Sequence, residues 1–114
     1  MHARKIDDAF SVSEQITPQD MAAIAAAGFK SIVCNRPDGE GWGQPKFAEI
    51  EAAARVAGLK SAYVPVTPGG MGERDVRRFA ELMRSLPAPV LGYCKSGARA
   101  AAIWQAAQAI GNAG

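Results

Sequence analysis

The sequence predicts a single α/β domain with a mostly parallel sheet of about five strands flanked by helices. Short apolar runs alternate with segments whose apolar residues recur three or four apart, the pattern of parallel strands joined by crossover helices. Glycine or proline punctuates nearly every change of pattern, so the elements separate cleanly. The 114 residues carry no internal repeat, linker or second composition, so one domain is expected over residues 1–114.

At the N-terminus, "KIDDAFSVSEQ" reads as two short strands turning at Asp7 and Asp8, with Phe10 and Val12 alternating. In "ITPQDMAAIAAAG", Thr17 suits an N-cap, Pro18 the first helical position and Gly28 the residue just past the helix. "FKSIVCN" supplies a strand from Phe29 to Cys34, and "RPDGEGWGQ" a glycine-rich loop. A helix from about Pro45 to Ala57 follows, with Phe47, Ile50 and Ala54 on one face and Gly58 closing it. "LKSAYVPV" is another strand and "TPGGMG" another break. Residues 73–86 form an amphipathic helix with a stripe of Val76, Phe79, Leu82 and Met83. "PVLGYC" is the last strand. The final helix shows Ile103, Trp104, Ala107 and Ile110 at helical spacing and is expected to stop at Gly111. Trp42 and Trp104 are both expected to pack rather than to hold a ligand.

Composition excludes several functions. A net charge of +2, with no basic run, gives no reason to expect nucleic acid. The segment "MHARKIDDAF" lacks the apolar core of a signal peptide, and "MAAIAAAGF" is too short to cross a bilayer. The expectation is a cytoplasmic protein that meets no membrane. In that compartment Cys34 and Cys94 are expected as free thiols. One histidine and no Cys-x-x-Cys pair leave no metal site, and no motif asks for a cofactor. "TPGGMG" lacks the Lys-Ser/Thr of a nucleotide loop and reads as a mobile lid.

In a sheet of this kind, ligands sit beyond the carboxyl ends of the strands, where loops 35–44, 67–72 and 94–98 converge. The last of these lies in "PVLGYCKSGARAAAIWQ", in which a strand runs into Cys94 and a helix follows Arg99. A strand-to-helix turn aims several N–H groups at one spot, and the helix N-terminus adds positive potential. Gly97 permits a positive φ. Cys94 at the head of this loop would be held as thiolate by the N–H groups of Lys95, Ser96, Gly97 and Ala98 and by Arg99. Such a site makes a nucleophile and binds the anion it attacks. Arg99 offers a planar fork to an oxyanion or a persulfide. Around it, Cys34, Asn35, Arg36 and Asp38 in "CNRPDGE" are candidates for a supporting layer. Cys34 is either a resolving thiol or core, and Arg36 either a second anion contact or half of a loop ion pair.

"CKSGAR" resembles the active-site loop of two enzyme classes. Cysteine phosphatases use Cys-x-x-Gly-x-x-Arg, usually after a histidine. Single-domain rhodaneses use Cys-x-x-Gly-x-Arg, one residue shorter. Arg99 stands at the rhodanese position, and Tyr93 stands where the phosphatase histidine would be. Through "FSVSEQITPQD", "GFKSIVCNRPDGE", "YVPVTPGG" and "YCKSGAR", nearly the whole chain resembles the phosphatase-like domain of the beta-lactamase hydrolase-like proteins. That resemblance implies a dual-specificity-phosphatase-like fold. It also implies a functional link to a metallo-beta-lactamase-type sulfur dioxygenase, with this chain as the stand-alone form.

Between the two chemistries the residues favour sulfur transfer. A phosphatase protonates its leaving group, usually from an aspartate on the loop after an earlier strand. Near Thr67-Pro68-Gly69 there is no carboxylate, and losing a general acid costs about 10²- to 10⁴-fold. Glu73 and Asp75 read as first-turn charges of the next helix. A loop shorter by one residue also offers one N–H fewer to a phosphoryl group. Sulfur leaving groups need no strong acid. The first expectation is therefore a rhodanese-type sulfurtransferase that takes sulfane sulfur from thiosulfate or glutathione persulfide onto Cys94. A cysteine phosphatase acting on a phosphate ester is the alternative, and a non-catalytic anion-binding module a further one.

Overall fold

The computed structural model describes residues 1–113 and contains the strands β1 (Arg4–Asp7), β2 (Phe10–Ser13), β3 (Ser31–Cys34), β4 (Lys60–Tyr63) and β5 (Val90–Tyr93). They form one sheet in the order β1-β2-β5-β3-β4. Only β1 runs antiparallel, joined to β2 by a turn in which the Asp7 carboxylate accepts the Ala9 N–H at 2.9 Å. The other four strands are parallel, as expected.

Helices α1 (Met21–Ala26) and α2 (Phe47–Val56) cover one face of the sheet, and α3 (Glu73–Ser85) and α4 (Ala98–Ala113) cover the other. The alternation of strand side chains divides the core accordingly. Ile32, Cys34, Leu91 and Tyr93 pack with Ile16, Met21, Ile24 and Ile50 on the α1/α2 side. Val33, Val90 and Cys94 pack with Phe79, Ala100 and Ile103 on the other. β3 and β5 are buried on both faces, which explains their unbroken apolar character.

Gly92 is needed where Phe10 crosses β5: a Cβ there would lie 2.6 Å from the Phe10 ring. Phe10 has nowhere to move, because Phe79 meets it edge-on at 5.7 Å and Trp104 stacks on it at 5.9 Å. Trp104 thus packs as the sequence suggests.

Several boundaries differ from the expectation. β3 starts at Ser31, not Phe29. β4 ends at Tyr63 because Pro65 has no N–H to continue the ladder, although Val64 and Val66 still donate to the carbonyls of Cys34 and Asn35. Pro18–Asp20 forms a 3-10 turn rather than α-helix; Thr17 is its N-cap and Pro18 its first residue as expected, and the Asp20 carboxylate accepts the Thr17 N–H at 2.8 Å. α2 begins at Phe47 rather than Pro45. α4 continues through Gly111, since one glycine costs a helix only about 1 kcal/mol. Among the described residues no helix is long and apolar enough to cross a membrane.

Candidate active site

Parallel strands put their carboxyl ends at one edge, so the chain after β5 meets the loop after β3, the segment after β4 and the exit of β2. Cys94 follows β5 directly and is only 1% exposed. Its sulfur accepts the Gly97 N–H at 3.0 Å, closing the loop on itself. Gly97 has φ +99°, and a Cβ there would lie 3.4 Å from the Ser13 carbonyl oxygen, so both backbone angle and space call for glycine. Among the described residues the N–H groups of Lys95 and Ser96 have no acceptor, while the Lys95 carbonyl accepts the Gln15 N–H at 3.3 Å. One expected donor is diverted: the Ala98 N–H, at the start of α4, bonds to the Ser96 hydroxyl at 3.3 Å.

Arg99 leaves the first turn of α4 and meets Glu40 from the loop after β3. Its Nη1 donates to one Glu40 oxygen at 2.8 Å and its Nη2 to the other at 2.7 Å. Nη1 also donates to the Val66 carbonyl at 2.8 Å. A guanidinium has five N–H groups, so these bonds leave the Nε–H and one Nη2–H free on the opposite edge. Arg36 Nε donates to Glu40 at 3.0 Å, and Arg36 Nη1 to the Gln15 side-chain oxygen at 3.1 Å. A continuous chain, Gln15–Arg36–Glu40–Arg99, therefore ties the segments after β2 and β3 to the Cys94 loop.

The electrostatics follow from this pairing. The hydrogen bonds from Arg99 act most strongly on the Glu40 carboxyl; burial opposes them, and the Arg36 bond and the charges of both arginines add to the lowering, so that it stands at about 2, far below the usual carboxylate range. Glu40 in turn raises Arg99, with the neighbouring Cys94 sulfur adding to the effect.

Two clefts flank Arg99. One, of about 500 Å³, is lined by Arg36, Glu40, Trp42, Lys95 and Arg99. The other, of about 510 Å³, is largely apolar, between Val66, Pro68 and Met71 on one side and Ala98 and Ala102 on the other. A separate depression near Glu51, Arg55 and Lys60 lies at the far end of β4, away from both cysteines.

Of the residues expected to act together, Cys94, Lys95, Ser96, Gly97, Ala98 and Arg99 form one loop and Arg36 joins through Glu40. Three candidates for the supporting layer do not join, and for Cys34 it is the core alternative that holds. Cys34 pairs with Tyr93 in the β3–β5 register, so its side chain shares the α1/α2 face, opposite Cys94. Its thiol donates to the Arg36 carbonyl at 3.2 Å, and burial pushes its pKa up. Asn35 is wholly buried and bridges strands, donating from Nδ2 to the Val64 carbonyl at 2.9 Å. Asp38 accepts the Phe47 N–H at 2.8 Å, and its own N–H donates to the Tyr63 hydroxyl at 2.8 Å, so it starts α2 rather than lining the mouth.

Trp42 also corrects the sequence reading, since it is fully exposed at the rim of the charged cleft. Glu40 was missed altogether. Its signal was a carboxylate in a glycine-rich loop beyond a strand, four residues after an arginine.

Comparison with known proteins agrees with this architecture. The family model for "Beta-lactamase hydrolase-like protein, phosphatase-like domain" matches residues 2–111. A beta-lactamase hydrolase-like protein of Agrobacterium fabrum is 34% identical over 110 residues, covering 96% of this chain and 26% of the relative. The chain thus spans about a quarter of the length of the curated relatives it matches. The crystal structure of a candidate phosphatase from Neisseria meningitidis superposes with a TM-score of 0.81 at 39% identity, covering 88% of this chain and 71% of that one. A cysteine-to-serine variant of Pseudomonas aeruginosa TpbA in complex with pTyr shares the fold, with a TM-score of 0.58 at 16% identity over 83% of this chain and 59% of that one. By the extent of the family match and the curated relatives, this chain belongs to the family of the beta-lactamase hydrolase-like protein, phosphatase-like domain.

Proposed function

We propose that the chain is a cysteine-dependent hydrolase of phosphate esters. The observation that carries the reading is the pairing of Cys94, whose sulfur accepts the Gly97 N–H at 3.0 Å, with an Arg99 held by Glu40 so that one edge of its guanidinium stays free. Fold and family support this reading above sulfur transfer, which the sequence placed first.

In the proposed reaction the phosphoryl group sits against the N–H groups of Lys95 and Ser96 and the free edge of Arg99. Cys94 sulfur attacks phosphorus; the S–P bond forms as the P–O bond to the leaving group breaks, and the leaving oxygen takes the electron pair. Water then attacks the phosphocysteine, the S–P bond breaks with its electron pair returning to sulfur as thiolate, and inorganic phosphate leaves carrying both of the water's protons. Fixed donors around the phosphoryl oxygens lower both barriers without reorganising.

The carboxylates near the ring are all committed elsewhere. Both Glu40 oxygens face arginines, and that carboxyl stays ionised down to about 2. Asp38 holds the start of α2, and Asp75 accepts the Gly72 N–H at 3.1 Å at the start of α3. The leaving group therefore departs unprotonated, which restricts good substrates to esters of acidic alcohols such as phenols. The apolar cleft beside Arg99 offers room for the ring of such an aryl group, and the TpbA relative binds pTyr in its own complex.

Two observations favour a second reading, rhodanese-type sulfur transfer through a Cys94 persulfide. The loop is one residue short of the phosphatase pattern, and the Ala98 N–H is spent on Ser96. The decisive experiment assays one preparation for p-nitrophenyl phosphate hydrolysis, thiosulfate:cyanide transfer and glutathione persulfide transfer. Hydrolysis that Cys94→Ser abolishes supports the proposal. Sulfur transfer without hydrolysis overturns it.

A further inference from the structure

We infer that the charged cleft above the Cys94 loop is a second anion subsite, which takes a carboxylate or phosphate carried by the same small substrate whose phosphoryl group reaches Cys94. The inference rests on the phosphate-ester reading and adds a substrate class to it: small esters with two anionic groups.

Arg36 carries the argument. It is only 7% exposed, yet it donates from Nε to Glu40 at 3.0 Å and from Nη1 to Gln15 at 3.1 Å and nowhere else among the described residues. Its Nη2 has no acceptor there, although the guanidinium lines the cleft. That nitrogen is not sealed from solvent, so an anion entering the cleft can accept its N–H groups in place of water. The placement is also made room for: a Cβ at Gly41 would come within 2.5 Å of Arg36 Nη2, so this glycine lets the guanidinium lie beside the cleft.

The rest of the lining suits an anion. Lys95 and Arg99 face the same space, and Lys95 makes no ion pair among the described residues. The one carboxylate in the described lining, Glu40, has its oxygens turned to Arg36 and Arg99, which offset its charge. Trp42, fully exposed at the rim, gives a flat face against which the body of a small ligand can rest. Arg36 and Lys95 belong to this cleft and Arg99 to both cleft and ring, so an anion here would sit beside the transferred group.

The test uses the full chain carrying Cys94→Ser, so that ligands bind without turnover. Calorimetry compares phenyl phosphate with 3-carboxyphenyl phosphate and 1,3-phenylene bisphosphate. At least one of the two-anion ligands should bind about tenfold more tightly than phenyl phosphate, and which of them does so tells carboxylate from phosphate. Adding Lys95→Gln, or Arg36→Lys, which cannot reproduce the guanidinium fork, should bring that ratio towards one. Equal affinity for all three ligands overturns the subsite and leaves the phosphate reading standing. If no ligand binds at all, the phosphate reading itself fails, and the inference with it. A preference that survives both substitutions places the second group elsewhere and also overturns the inference. If Arg36→Lys does not fold, Lys95→Gln alone decides.

Discussion

Glu40→Gln is the most informative change outside the Cys94 loop. It keeps the size of the side chain and removes the charge, so Arg99 loses a bidentate ionic partner and keeps the Val66 carbonyl and one amide oxygen. Hydrogen bonds to charged groups contribute about 1.5–3 kcal/mol each when buried. The Glu40 and Arg99 side chains are 22% and 16% exposed, so solvent screens the pair and about 1–2 kcal/mol is a fair value for what holds Arg99 in place. If Arg99 binds the transition state only from that position, kcat/KM for an aryl phosphate should fall about 5- to 30-fold. A structural role alone would lower Tm and leave kcat/KM at a temperature well below it unchanged. Glu40→Asp, which restores the charge on a shorter arm, should recover part of the loss. Unchanged kcat/KM in Glu40→Gln would refute the positioning role, and a rise would mean that Glu40 blocks Arg99 instead.

The same pair has a defined pH signature. The Glu40 carboxyl titrates at about 2 in the folded chain against 4.5 as its ordinary value. A lowered folded pKa stabilises the fold fully above about 4.5, and the contribution disappears as pH falls towards about 2. In urea unfolding, the stability gap between the parent and Glu40→Gln should therefore narrow through that window. It should stay constant at neutral pH.

Other outcomes follow from single positions. Gly97→Ala forces a side chain into φ +99° at a cost of about 1–2 kcal/mol, and it should weaken phosphate binding by calorimetry more than it lowers Tm. Gly92→Ala drives a methyl into the trapped Phe10 ring and should lower stability by about 1–3 kcal/mol in urea, with the active loop unaltered in sequence. Cys94→Ser should abolish turnover, whereas Cys34→Ala should keep it, because Cys34 lies on the other face with its thiol pushed up by burial. A loss of more than about tenfold in Cys34→Ala at unchanged Tm would contradict that separation.

The sheet was legible because its signals are local. Alternation in "FSVS" and unbroken apolar runs in "SIVC" and "VLGY" mark strands by burial on one or both faces, and the helices between them show their stripes. What failed were ends decided by a few hydrogen bonds. Gly111 looked like a stop because glycine is the common C-cap, but its cost of about 1 kcal/mol is too small to end a helix by itself. Thr17 stands at the N-cap its residue type suggested, yet the bond at that cap runs from its own N–H to Asp20. Neither outcome can be read without knowing which atom faces which.

The site divides along the same line. The Cys94 loop is contiguous, so the residues proposed to act there are six consecutive ones, and the structure adds that the Gly97 N–H reaches the sulfur. Glu40 stands 59 positions from Arg99, and nothing local distinguishes it from a loop carboxylate in water. It reaches Arg99 only because β3 lies beside β5, which sets the two strand ends together and lets one carboxylate take both arginines. The same topology removes Cys34. β3 and β5 pair Cys34 with Tyr93, and a period of two then sends the next residue, Cys94, to the opposite face. For Cys34 the core alternative therefore holds over the resolving thiol, and sequence distance concealed Glu40. Register decided both, and it makes Glu40 rather than Cys34 the residue through which the β3 loop would act on the chemistry at Cys94.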